Sequence, residues 1–389
     1  MKSTLPSILV ALLAIGCSGH SSLNGDDDDS DANSPDGSTT DDGSSPDDAI
    51  SQPDAPYEGS VPPPETSGVT ITVEPDGSGD AAGLLNAING AQTAVHVEMY
   101  LLTNSKYISA LIALAKAGKD VKVVLNQTFP TGTSSSNTNA STYTQLQSGG
   151  VDVHWAPTNT GFTSYTHEKA VIIDPAGGSD SQVWIMTMNL DTDAPKYNRE
   201  FLAQDTNAPD IGEAEAIFEA DYADQNITPN GNLVVAPAPQ NNAAAALVSL
   251  INGATTSIDI EAEELDDSGK NTEELVFNAL VAKAKAGVAV HVVLEDSTDS
   301  EQSSAVSTLE SAGAKVVGYS CTGNLDIHAK SIVVDGAAAY VGSENFSGGS
   351  LGYNRELGVI FTQSSEVSKV KTAIDGDFAG GGTYSTTCN

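Results

Sequence analysis

Two periodicities alternate along residues 80–389, and they do so twice in the same order. The apolar spacing of a helix runs through Leu85-Asn86-Ala87-Ile88-Asn89-Gly90-Ala91 and again through Val248-Ser249-Leu250-Ile251-Asn252-Gly253-Ala254. Each stretch stops at a glycine and gives way to strict alternation, Val95-His96-Val97-Glu98 in one case and Ile258-Asp259-Ile260-Glu261 in the other, the two-residue period of a strand. A second predicted helix ends at Gly118 or Gly287, and strands Val121 to Leu125 and Val290 to Leu294 follow. A third ends at Gly149-Gly150 or Ala312-Gly313 and leads to Val151-Asp152-Val153 or Lys315-Val316-Val317. Strands alternating with helices predict an α/β fold, and the matched order predicts an internal duplication. The expected body is two similar domains, residues 67–228 and 229–389, each a mixed sheet flanked by helices, meeting near the Pro-rich stretch from Pro229 to Gln240.

The first 66 residues carry neither period. Met1-Lys2 precedes the apolar run Leu5 to Ile15, which is too short to span a bilayer and has the length of a signal-peptide core. Its end, Leu13-Ala14-Ile15-Gly16-Cys17, resembles the lipobox of bacterial lipoproteins and makes residues 1–17 the expected signal. This predicts an exported protein, anchored to the outer membrane or cell surface through a lipidated Cys17 and otherwise secreted. Residues 18–66 are rich in Asp, Ser, Pro and Gly, with Asp26 to Asp29 in a row, and have almost nothing to bury. They are expected to form a disordered tether.

That tether holds 13 of the 52 acidic residues and residues 1–66 hold one of the 16 basic ones, which leaves the body with 39 acidic against 15 basic side chains. So acidic a body is a poor partner for long nucleic acid, whose binding depends on Lys and Arg neutralising phosphates. With Cys17 lipidated, Cys321 and Cys388 remain as a pair, and an oxidising compartment favours a disulfide between them. No Cys-x-x-Cys unit suggests zinc or redox chemistry, and neither cofactor nor metal is expected.

The polar residues that break the pattern are duplicated as well. The first half reads His167-Glu168-Lys169-Ala170-Val171-Ile172-Ile173-Asp174, then Thr187-Met188-Asn189, then Tyr197-Asn198-Arg199-Glu200. The second reads His328-Ala329-Lys330-Ser331-Ile332-Val333-Val334-Asp335, then Ser343-Glu344-Asn345, then Tyr353-Asn354-Arg355-Glu356. The Glu lies eleven positions after the Asn in both, and Arg199 and Arg355 are the only arginines in the chain. On a strand, His167 and Lys169 share one face, as do His328 and Lys330. Brought together across a pseudo-two-fold interface, the two copies would supply two imidazoles, two ammonium groups and two carboxamides to one site. A phosphodiester passing through a five-coordinate state needs that set: one His to attack phosphorus, another to protonate the departing oxygen, and Lys with Asn to hold the non-bridging oxygens.

These motifs resemble those of the phospholipase D superfamily, in which a His-x-Lys-x4-Asp motif occurs twice, followed by an Asn turn and a downstream carboxylate. The resemblance covers nearly all of residues 70 to 389; the first Asn turn, Met186-Thr187-Met188-Asn189, departs from the Gly/Ser-rich pattern that Gly342-Ser343-Glu344-Asn345 follows. It implies His167 as nucleophile, His328 as general acid, and Lys169, Asn189, Lys330 and Asn345 as phosphate ligands. Glu200 and Glu356 would orient the imidazoles, each serving its own half or the opposite one. Asp174 and Asp335 complete the motifs and are expected to support the strand and its turn.

Other polar residues have plainer readings. His96 and His291 alternate with Val and are expected to be half-buried or surface positions; His154 is expected to be structural. Glu98, Glu261 and Glu263 close matched strands, where they either shape an alcohol pocket or are simply exposed. Lys116, Lys283 and Lys285 serve solubility. The expected substrate is a phospholipid headgroup, zwitterionic because the body is acidic, hydrolysed or transferred through a phosphohistidine. A nuclease or a phosphatidyltransferase resembling cardiolipin synthase is the alternative, and an inactive surface-anchored binding protein a second one. A monomer suffices for one site.

Overall fold

The computed structural model describes residues 64–387 apart from 130–132, 136–137, 158–165, 229–230, 238–241, 267–272 and 321–322. The signal-like segment, most of the tether, Cys17, Cys321 and Cys388 lie outside the described residues, and with them the expected anchor and disulfide.

The first half runs β1 (Val69–Glu74), α1 (Ala82–Gly90), β2 (Ala94–Met99), α2 (Ser105–Lys116), β3 (Asp120–Leu125), α3 (Ala140–Gly149), β4 (Asp152–Trp155), β5 (Lys169–Ile173), β6 (Gln182–Met186), α4 (Ala194–Tyr197), β7 (Asn198–Asp205) and α5 (Ala208–Tyr222). The second runs β8 (Val234–Ala236), α6 (Ala243–Gly253), β9 (Ser257–Ala262), α7 (Glu273–Lys285), β10 (Ala289–Glu295), α8 (Ser300–Ala312), β11 (Lys315–Tyr319), β12 (Asp326–Ile327), β13 (Lys330–Val334), β14 (Ala338–Gly342), α9 (Gly348–Tyr353), β15 (Glu356–Phe361) and α10 (Ser364–Gly380). The glycines that close the second predicted helices have positive φ, 79° at Gly118 and 88° at Gly287, a left-handed turn that glycine adopts without the cost of a Cβ.

The sheets repeat one order. In the first it is β1-β7-β6-β5-β2-β3-β4, and in the second, read from the matching edge, β8-β15-β14-β13-β9-β10-β11. Pairs β2–β3 and β3–β4, like β9–β10 and β10–β11, are parallel, and the other neighbours along these orders are antiparallel.

Both faces of the central strands are buried, so each runs as a continuous apolar stretch whose alternate residues serve different cores. Val171 and Ile173 of β5 face a core shared with Leu84, Ile88 and Leu111 of the first half's outer helices. Ala170 and Ile172 face a central core that also takes Val333, Val341 and Leu357 from the second sheet, with Phe218 of α5 and Ile374 of α10. Ile332 and Val334 turn outward again, towards Leu247, Ile251 and Leu280. The result is two sheets facing each other around a central layer that also holds α5 and α10, with the remaining helices outside. The last helix is shared across the junction: Glu366 of α10 accepts a 2.7 Å bond from Ile71 N on β1.

Candidate active site

Chain direction brings the chemistry to one edge. In the first sheet Met99 at the end of β2 lies opposite Lys169 at the start of β5, and Thr187, just past β6, donates its N–H to Phe201 O near the start of β7. The second sheet repeats this with Ala262 opposite Lys330 and Ser343 bonded to Leu357 O. The edges are then stitched to each other. Ile327 and Asp326 pair in parallel with Arg199 and Asn198 of the first half. Thr166 pairs with Arg355, and His167 N donates to Arg355 O at 2.9 Å. Each motif histidine thus emerges beside the Arg-Glu unit of the opposite half. Both histidines precede their strands, which begin at Lys169 and Lys330, because the residues before them pair with the other half rather than with their own sheet; the expectation that they lie on strands is corrected accordingly.

His167 is 2% exposed, and its Nδ1 lies 3.0 Å from both carboxylate oxygens of Glu356. Its Nε2 lies 2.8 Å from Lys169 Nζ, which also donates to His167 O at 3.0 Å. The Tyr100 ring meets the imidazole edge-on at 4.8 Å and lies 5.1 Å from Lys169 Nζ. His328 Nδ1 lies 2.8 Å from Glu200 Oε1, so the carboxylates cross over, each serving the imidazole of the opposite half. The other nitrogen differs. His328 Nε2 lies 3.5 Å from Glu263, which also takes a hydrogen bond from Lys330 Nζ. Glu263 and Tyr100 occupy matching places, one residue past β9 and β2.

Asn189 and Asn345 follow β6 and β14 at this same edge, buried, each with a side-chain oxygen that has no protein partner among the described residues. Buried amide oxygens are rarely left so, and this fits groups that bind a ligand. Asp174 and Asp335 are placed at the far ends of β5 and β13. Asp174 accepts from the backbone of Gln92, Thr93 and Ala94 at the start of β2, and Asp335 from Thr255, Thr256 and Ser257. Burial alone would raise Asp174; these bonds outweigh it and hold both aspartates below the usual carboxylate range.

The two arginines act as clamps. Arg355 donates from Nε and Nη2 to Asp221 on α5 at 2.8 and 3.2 Å, and from Nη1 to Ala236 O at 2.9 Å. Arg199 does the same with Asp377 on α10, at 2.5 and 3.2 Å, and with Glu74 O at 2.7 Å. Each clamp spans the halves, and bidentate geometry makes such pairs directional. The only sequence signal for Asp221 and Asp377 is their spacing, since both follow the site Glu by 21 residues.

Glu98 and Glu261, read as pocket or exposed groups, are instead buried beneath the site, 1% and 0% exposed. Burial pushes both well above the carboxylate range, with repulsion from Asp221 acting on Glu98 and from Asp377 on Glu261. Glu168 joins Glu98 and Asp221 in the first half only; burial and the neighbouring Asp221 push it up to about 8, while the matching Ala329 is apolar.

His96 corrects the expectation of a half-buried or surface ring: it is 3% exposed, Nδ1 2.9 Å from Glu215. With Glu219 it forms a group whose donor atoms could hold a metal ion. The duplicated place argues for a strut. There Asp259 lies 3.2 Å from Lys371 and 2.9 Å from His291, while Lys122 binds Glu219 in the first half. Charges are exchanged between strand and helix and the pairing is kept. His154 stacks on Tyr222 at 4.1 Å, with Nδ1 3.1 Å from Tyr222 O. Lys283, read as a solubility group, donates to Asn252 O and Ala254 O at 2.7 and 2.9 Å. Among the described residues no helix is long and apolar enough to cross a membrane.

Two α/β layers joined by crossed histidine–glutamate pairs define a phospholipase D-like protein, and the chain belongs to that family: residues 84–222 and 247–378 match the family model described as "Cardiolipin synthase, PLD-like domain". Over 88 residues it is 33% identical to phospholipase D Y of Dictyostelium discoideum, a match covering 22% of this chain and 20% of that protein. The chain therefore matches about a fifth of the length of that curated relative. The fold is shared with phosphatidylserine synthase of Haemophilus influenzae Rd KW20, at a TM-score of 0.60 and 13% identity over 81% of this chain and 86% of that one. Polyphosphate kinase of Porphyromonas gingivalis also has a TM-score of 0.60, at 15% identity over 79% of this chain and 46% of that one.

Proposed function

We propose that this protein is a phosphodiesterase of phospholipase D type that cleaves phospholipid headgroups through a phosphohistidine on His167. The observation that carries this is the difference between the two Nε2 environments. A lysine ammonium only donates, so His167 Nε2, 2.8 Å from Lys169 Nζ, must accept and its proton lies on Nδ1, towards Glu356. That is the tautomer whose Nε2 lone pair can attack phosphorus once a phosphate oxygen takes over Lys169. His328 faces carboxylates at both nitrogens, Glu200 at 2.8 Å and Glu263 at 3.5 Å. Two carboxylates this close favour a positively charged ring, and His328 takes the role of the acid.

In the first step the Nε2 lone pair of His167 forms the N–P bond, the P–O bond to the headgroup alcohol breaks, and the proton of His328 Nε2 goes to the departing oxygen. Lys169, Lys330, Asn189 and Asn345 hold the non-bridging oxygens as charge gathers there. In the second step His328 takes a proton from water, the water oxygen attacks phosphorus, and the N–P electron pair returns to His167. The products are phosphatidic acid and the free alcohol. An acceptor alcohol in place of water gives phosphatidyl transfer by the same intermediate, a variant favoured by the cardiolipin synthase description of the matched family. The lipobox-like end at Cys17 supports a site held beside membrane lipid outside the cytoplasm, and mass spectrometry of Cys17 tests that anchor.

The full chain is incubated with mixed phospholipids and, separately, with DNA, beside His167→Ala and His328→Ala. Phosphatidic acid release that falls about a thousandfold in both variants is expected. DNA cleavage with lipid left intact, or lipid turnover that survives His167→Ala, contradicts the proposal.

A further inference from the structure

We infer that Glu263 is a specificity-determining residue, a carboxylate placed to receive a cationic alcohol on the leaving side of the site. The inference rests on the proposed function, because it takes His328 as the acid. In an in-line displacement the nucleophile and the leaving oxygen lie on opposite sides of phosphorus, so the departing alcohol lies beside His328 and the phosphatidyl group stays beside His167.

The two sides differ in chemistry at matching places. On the His167 side the residue past the strand is Tyr100, its ring against His167 and Lys169 and 5.1 Å from the ring of Phe129. On the His328 side it is Glu263, whose side chain is 22% exposed while Lys330 is 0% exposed. Its carboxylate contacts both Lys330 and the Nε2 that would protonate the leaving oxygen. An ammonium two carbons from that oxygen, as in ethanolamine or choline, would lie within reach of the same carboxylate.

Charge counting leads the same way. Lys330 and a protonated His328 meet Glu263 and Glu200 directly, and Lys169 meets Glu356 through His167, so these cations have no surplus charge to offer before substrate enters. A phosphodiester brings one negative charge, and its oxygens compete with Glu263 for Lys330. A substrate that carries its own cation offsets the added charge and gives the displaced carboxylate a cationic contact; a neutral alcohol such as glycerol offers the half-buried Glu263 no positive charge beside the phosphate oxygens. Asp326, two residues before His328, adds negative charge to this side; burial raises it to about 6 against the pull of His328.

The test compares kcat/KM for phosphatidylethanolamine and phosphatidylglycerol in mixed micelles, for the full chain and for Glu263→Gln, which keeps the shape and removes the charge. The native protein should prefer the ethanolamine lipid, and the ratio should fall about tenfold in the variant, the loss of one charge-assisted contact. An unchanged ratio, or equal use of both lipids by the native protein, overturns the inference and leaves the phosphohistidine chemistry standing. Absence of any lipid turnover, or turnover that persists in His167→Ala, overturns the proposed function instead. Should Glu263→Gln fail to fold, the native protein decides alone: with equal ethanolamine and glycerol as acceptors, phosphatidylethanolamine should dominate the transfer products, and equal partition overturns the inference.

Discussion

The two halves share strand order, histidine placement and arginine clamps, yet they part at a few positions, and those positions assign them different work. In the first half the imidazole Nε2 faces an ammonium and an aromatic ring; in the second it faces a carboxylate. A symmetric site would hold two imidazoles in the same protonation state and would lack the acid and nucleophile that the chemistry requires. Where the duplication serves only architecture, its residues are either kept, as with Arg199 and Arg355, or exchanged in compensated pairs, as with His96 and Glu215 against Asp259 and Lys371. At the imidazoles, the uncompensated divergence of Tyr100 from Glu263 is what gives the two halves different chemistry.

The comparison can be broken first at the clamps. Arg355 and Asp221 are 2% and 0% exposed, whereas Arg199 and Asp377 are 14% and 10% exposed. Asp221→Ala should cost about 3–5 kcal/mol in urea denaturation, since it strands a buried guanidinium. Asp377→Ala should cost less, and the reverse order would show that burial does not govern the pair. Next come the crossed carboxylates: Glu356→Gln and Glu200→Gln should each lower kcat/KM by about 10–100-fold. Only Glu200→Gln should move the alkaline limb of the pH–rate profile to lower pH, because it weakens the hold on the proton of the acid. Equal shifts in both variants would mean that the imidazoles are interchangeable.

Glu168 gives a smaller and pH-dependent effect. Its folded-state value is raised from 4.5 to about 8, so it is protonated in folded and unfolded chains below pH 4.5 and costs nothing there. Between pH 4.5 and 8 the unfolded chain releases the proton that the folded one keeps, and stability declines. The melting temperature of Glu168→Gln should therefore rise relative to native from pH 5 to pH 8; a gap that stays constant would show that Glu168 is ionised in the fold. The least effect is expected at the exchanged struts. Converting His96 to Asp or Glu215 to Lys should each cost about 1 kcal/mol, and the double variant, which copies Asp259 and Lys371, should recover most of it. Additive losses would remove the evidence for a compensated pair.

Much of this was legible in the chain. The strand and helix order followed from two periods repeated in register, and the site from two polar strings at the same point of each repeat. What periodicity could not show was the crossing. That His167 meets Glu356 and His328 meets Glu200 depends on short interdomain pairings, Thr166 with Arg355 and Ile327 with Arg199, and pairing between distant segments leaves no period in either. Burial misled in one direction. Glu98 and His96 alternate with valines on β2, which reads as a half-exposed strand, but a second sheet and α5 cover the outward face and enclose both polar side chains. Glu263 was visible only as an acid at a strand end; its meaning came from the neighbour it touches and from Tyr100 at the matching place.

The most direct test of asymmetric roles is to trap the intermediate. His328→Ala is mixed with a phosphodiester bearing a nitrophenol leaving group, which departs without an acid but leaves an intermediate that still needs a base, and the stalled protein is digested and mapped by mass spectrometry. Phosphorus covalently bound to His167, and absent in His167→Ala, is the predicted result; label on His328 of the native protein, or none on either histidine, would contradict it.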